Sequence, residues 1–120
     1  MIGQEKKIRI IQADKLQYDE EIKDAQQLIG NVIFEHDSAY MHCDTALLYV
    51  KSNSFEAFSG VKIIQGDSIQ MTGDTVVYSG EEKIAQLKGN IHFSDGKLQL
   101  VTNQLDYDLN TKIGSYTNRA

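Results

Sequence analysis

An acid or its amide returns through the sequence at nearly equal intervals: Asp14, Asp44, Asp74 and Asn103, with steps of 30, 30 and 29. A carboxylate ladder of fixed period is one way for a solenoid to hold calcium. That chemistry needs roughly six to eight oxygens per ion and glycine-rich loops. Here one acid recurs per unit, followed by Thr or Lys, so side-chain bonding to the local backbone at a corner is the better reading. His42 stands beside Cys43, which suggests a base and a nucleophile. Neighbours in a strand point to opposite faces, so these two cannot form a dyad without a bulge. Cys43 reads instead as a small buried apolar residue. His42 and His92 alternate with inward residues and therefore face outward, and no third ligand has metal-site spacing. The sequence holds no nucleophile elbow, phosphate-binding glycine loop or paired carboxylates. It calls for no catalytic residue, no metal and no cofactor, and so for no enzyme.

The elements that carry these residues are strands. Leu28-Ile29-Gly30-Asn31-Val32-Ile33-Phe34 returns as Leu87-Lys88-Gly89-Asn90-Ile91-His92-Phe93, with a degraded copy at Phe58-Ser59-Gly60-Val61-Lys62-Ile63. The glycines at 30, 60 and 89 repeat the same interval, and a period of this size points to stacked supersecondary units. Apolar residues alternate within each copy, the signature of a strand with one buried face. Gly30 and Gly89 fall on that inward face, where a glycine leaves room for a large neighbour or a bend. Tyr18, Tyr49, Tyr78 and Tyr107 recur with steps of 31, 29 and 29, and are placed at the corners. Polar turns separate the strands, at residues 19–24, 35–38, 51–54, 65–67, 79–83, 94–97 and 109–112. No window has helical period, and β-branched and aromatic residues fill the strands. The pattern predicts an all-β, antiparallel sheet of four stacked hairpin repeats of about 30 residues, folded so that the apolar faces meet.

Bulk properties narrow the function classes. At 120 residues, with 41% hydrophobic and 24% charged residues, this is one ordinary globular domain. We place it at 8–120, with residues 1–7 a disordered or appended N-terminus. The net charge of −5 argues against a nucleic-acid partner. No apolar run approaches the roughly 18 residues of a helical membrane span. Residues 1–5 have neither the basic start nor the apolar stretch of an export signal. A single cysteine excludes an internal disulfide, and the absence of proline suits long paired strands.

Ala13-Asp14-Lys15-Leu16-Gln17-Tyr18-Asp19, the Gly30-Asn31-Val32 strand and Gln65-Gly66-Asp67-Ser68 resemble the OstA-like family. That is the organic-solvent-tolerance domain shared by periplasmic lipopolysaccharide-transport proteins of the LptA type. The stretch from Met41 to Tyr49 is most similar to the branch found in Bacteroidetes-type bacteria. The match runs from about Ile8 to Tyr116 and lies in the order and spacing of all four units. The resemblance implies an open β-jelly-roll, or β-taco: two facing sheets with lipid acyl chains in the groove between them. It also implies a periplasmic, non-enzymatic carrier that joins edge to edge with copies of itself or with other proteins of the same fold. The implied partners are lipopolysaccharide or lipid A acyl chains.

The inward apolar residues are then the groove candidates: Val32, Phe34, Met41, Val61, Ile63, Ile69, Met71, Ile91, Phe93, Leu98 and Leu100. The plain reading is a core, and a groove for acyl chains is a core with a gap in it. Met41 and Met71 suit an adaptable wall. A lipid carrier, a structural module that assembles through open sheet edges without lipid, and a carbohydrate-binding solenoid remain as function classes. The last ranks lowest, because tryptophan is absent.

Overall fold

The computed structural model describes residues 7–18 and 24–116. All regular structure among them is β-strand: β1 (Arg9–Gln12), β2 (Lys15–Tyr18), β3 (Ala25–His36), β4 (Ala39–Tyr49), β5 (Ser54–Gln65), β6 (Ile69–Ser79), β7 (Ile84–Ser94), β8 (Gln99–Asp108) and β9 (Ile113–Tyr116). The expectations for residues 1–6 and for the turn at 19–23 lie outside the described residues. The strands make one antiparallel sheet in the order β1-β3-β4-β5-β6-β7-β8-β9, with β2 also on β3. From β3 onward each strand pairs with the next in sequence, so short hairpins suffice for every connection.

The sheet is creased across its long strands. Ile29 pairs with Thr45 and Val32 with Cys43, so Gly30 and Asn31 together oppose Asp44. Ser59 and Gly60 oppose Asp74 in the same way, and Gly89 and Asn90 oppose Asn103. Two residues against one is a bulge, which bends the strand that carries it. The inserted pairs have positive φ, +83° and +47° at Gly30-Asn31 and +84° and +47° at Gly89-Asn90, a region that glycine and asparagine tolerate.

The crease glycines therefore serve a backbone conformation and a close approach, more than space for an inward neighbour. A Cβ on Gly30 would lie 2.6 Å from Asp14 Oδ2. The corner acids also differ from expectation. Asn31 Nδ2 donates to Asp14 Oδ2 at 3.0 Å, and Asn90 Nδ2 to Asp74 Oδ2 at 3.0 Å. These two carboxylates brace the bend of the neighbouring strand, because the bulge leaves an asparagine amide pointing at them.

The crease divides the sheet into two leaves. One holds β2, residues 25–29, 45–49, 54–58, 75–79, 84–88 and 104–108, and β9. The other holds β1 and residues 32–36, 39–43, 61–65, 69–73, 91–94 and 99–102. Their apolar faces meet in one core. Phe34 of the second leaf stacks on Phe55 of the first, with ring centroids 4.2 Å apart.

Candidate functional site

The space between the leaves is the candidate site. All the predicted groove residues except Leu98 belong to the second leaf, and the set divides into three groups. Val32, Phe34, Met41, Val61, Ile63, Met71 and Ile91 are sealed in the core. Ile69 and Phe93 are half-buried and pack against it. Leu100 is half-buried, and Leu98 is 57% exposed. Leu98 is thus no core residue; it sits in the β7–β8 turn region where the slot opens.

The facing wall was missed. Leu28, Ala46, Leu48, Phe55, Ala57, Val76, Tyr78, Ala85, Leu87, Leu105 and Tyr107 of the first leaf are buried against the second. Their alternation was present in the sequence, but it changes phase at each crease. Cys43 and Ala46 both point inward, although they are three residues apart.

The lips of the slot between β3 and β8 are latched by polar groups, of which His36, Gln65, Tyr78 and Tyr107 are buried. Tyr107 Oη donates to Gln65 Oε1 at 2.7 Å. Gln65 Nε2 donates to Ser38 Oγ and to the Leu109 carbonyl, each at 3.0 Å. His36 Nδ1 and Tyr78 Oη lie 2.6 Å apart. Lys83 Nζ donates to Asp37 Oδ2 at 3.0 Å. Tyr78 and Tyr107 thus stand at the lips and not at the creases, since each lies close to a hairpin turn. Burial raises the pKa of both phenols above its ordinary value, and nearby Asp37 and Asp108 raise it further. Both remain neutral hydrogen-bonding groups at physiological pH. Asn53, in the polar loop after β4, is also buried; its Oδ1 accepts the Ile8 N–H at 2.9 Å.

The slot opens at the β8–β9 end. There a cavity of about 210 Å³ is lined by Phe93, Asp95, Leu98, Leu100, Leu105, Lys112, Gly114 and Tyr116. Its walls come from both leaves. Leu105, Gly114 and Tyr116 of the first leaf were not among the groove candidates, yet they keep the inward alternation of β8 and β9. A larger trough of about 540 Å³ lies on the outer face of the first leaf, over Val77, Gln86 and Asp106. Its lining positions alternate with the inward ones, and Glu82 and Asp108 add to its acidity.

Cys43 is buried, and burial, followed by the charge of Asp44, pushes its thiol up to about 12. It is therefore no nucleophile at neutral pH. His92 lies on the outer face, with Thr72 and Val101 around a surface hollow. Among the described residues no three of His, Cys, Asp and Glu come together as metal ligands.

A single antiparallel sheet, creased across its long strands and apolar within, is an open β-jelly-roll. The sequence matches the OstA-like protein family over residues 5–119, and the chain belongs to that family. Its fold is similar to that of LptH from Pseudomonas aeruginosa, described as the LptA-homologous periplasmic component of the lipopolysaccharide transport device. The TM-score is 0.77 at 18% identity, over 93% of this chain and 82% of that one. No curated protein sequence matches this chain.

Proposed function

We propose that this chain is a non-enzymatic periplasmic carrier or bridge component for lipopolysaccharide. Residues 8–120 act as one domain, and the lipid's acyl chains enter between the leaves. The observation that carries this reading is the apolar cavity at the β8–β9 end, continuous with the core and walled by both leaves. Phe93, Leu98 and Leu100 are the sequence candidates that an acyl chain reaches there without disturbing the fold. The sealed candidates, from Val32 to Ile91, meet lipid only if the latched lips part. Membership of the OstA-like family and the fold shared with LptH support the assignment. Purified lipopolysaccharide should displace a fluorescent acyl probe at micromolar concentration, and Leu100→Asp should abolish the displacement. Absence of displacement from the intact chain overturns the reading.

A second reading rests on the free edges of the sheet. β9 pairs only with β8 among the described residues, and an unpaired edge can add a strand from another copy or from a protein of the same fold. Under this reading light scattering finds concentration-dependent oligomers that lipid leaves unchanged.

A further inference from the structure

We propose that the β8–β9 cavity is a site for a single acyl chain ending in an anion. The chain lies against Phe93, Leu98, Leu100 and Leu105, and the anion is held by Lys112. This rests on reading the slot as a lipid site, and it narrows the ligand to one class.

Size comes first. About 210 Å³ is below the roughly 300–1,000 Å³ of pockets that enclose drug-sized ligands. A hollow of this size, with Leu98 and Tyr116 at its exposed margin, matches one chain end better than a bundle of chains. Depth is set by Gly114, which pairs with Tyr107 across the β8–β9 ladder. A Cβ there would come 3.2 Å from Leu105 Cδ1, and the glycine lies outside the left-handed region. The backbone conformation suits other residues, but a Cβ would press on Leu105, and any larger side chain takes space from the cavity.

Charge comes second. The chain is acidic, with a net charge of −5, and its outer trough carries Glu82, Asp106 and Asp108. The rim of this cavity nevertheless carries a lysine. The ion pairs among the described residues use Arg9, Lys51 and Lys83, so Lys112 has no carboxylate partner there. Asp95, the other charge at the rim, is turned onto its own loop. Its Oδ1 accepts the N–H groups of Lys97 at 3.0 Å and Leu98 at 2.7 Å, and these bonds lower its pKa. Its role is to hold the turn that presents Leu98. Among the described residues the rim thus offers Lys112 as a cation outside any ion pair, beside the loop-bound Asp95 and above an apolar floor, which suits a carboxylate or a phosphate monoester on one chain.

Isothermal titration calorimetry with dodecanoate, dodecyl phosphate and neutral dodecyl maltoside tests this, with purified lipopolysaccharide run beside them. One equivalent of either anion should bind. Affinity should rise about fourfold per methylene through shorter homologues and level off once the cavity is full. Lys112→Gln should weaken the anions up to about fivefold and leave the maltoside unchanged. Gly114→Leu should abolish anion binding. Leu98→Ser, at an exposed position, should weaken it whether or not the glycine variant folds. Preference for one anion identifies the head as carboxylate or phosphate. Several equivalents per chain, equal affinity for the neutral head, or indifference to both floor variants overturns the proposal. Binding of lipopolysaccharide without binding of either single-chain anion overturns it and leaves the carrier reading standing. Failure of all ligands overturns both. Single-chain binding alone keeps the proposal and removes lipopolysaccharide as the cargo.

Discussion

The middle of the slot and its β8–β9 end are built from the same alternation, yet one is closed and the other open. In the middle each leaf presents large side chains to the other. Phe34 meets Phe55, Phe55 leans on Tyr78, and the lips are tied through Gln65 and Tyr107. At the end, β9 extends the first leaf beyond the last strand of the second among the described residues. Its inward positions are Gly114 and Tyr116, and the second leaf answers with the turn that carries Leu98. An inward apolar residue becomes core or groove according to what stands opposite, and a strand's own pattern does not record that.

The contrast can be broken most sharply at its centre. Phe34→Ala removes a fully buried ring and leaves a void against Phe55, at a cost of about 3–5 kcal/mol. Urea unfolding should show this as a lowered midpoint. Next comes the latch. Tyr107→Phe leaves Gln65 Oε1 buried without its donor, which costs about 1–3 kcal/mol. Hydrogen exchange should quicken first in strand ends near Gln65 and Leu109, and the acyl probe should reach deeper into the slot.

Alkali tests burial of the wall more gently. The folded chain holds the Cys43 proton up to about 12 against an ordinary 9.0. The stability from that shift is complete below pH 9 and drains away as pH rises towards 12. Tyr78 and Tyr107 shift in the same direction, for the same reason. Unfolding midpoints should therefore fall steadily above pH 9, and less steeply in Cys43→Ala. The smallest effect belongs to the open end. Leu98→Ala should change stability by no more than about 0.5 kcal/mol, while reducing capture of the acyl probe. A loss as large as that of Phe34→Ala would show that the end is core after all.

The repeat of Gly30-Asn31 and Gly89-Asn90, spaced with Asp14 and Asp74, carried the fold in the sequence. It marked where strands bend, and the residues beyond each mark alternate cleanly from Val32 to Phe34 and from Ile91 to Phe93. The first leaf was harder to read. Its inward positions include Ala46, Ala57 and Ala85, which give little hydrophobic contrast, and the bulges shift the phase just before them. The latch was not legible at all. His36, Gln65 and Asn53 look like ordinary turn residues, and their partners Tyr78, Tyr107 and Ile8 lie 42, 42 and 45 positions away. The β8–β9 cavity was half visible: Phe93, Leu98 and Leu100 were named, while Gly114 and Lys112 gain meaning only from the cavity they line.

The bends in successive strands lie side by side, so the fold line runs perpendicular to the chain direction. Each added hairpin then lengthens the molecule by about 10 Å, two strand spacings, and leaves its cross-section as it was. Duplication or loss of one such unit would alter how far the protein reaches and would leave the bore untouched.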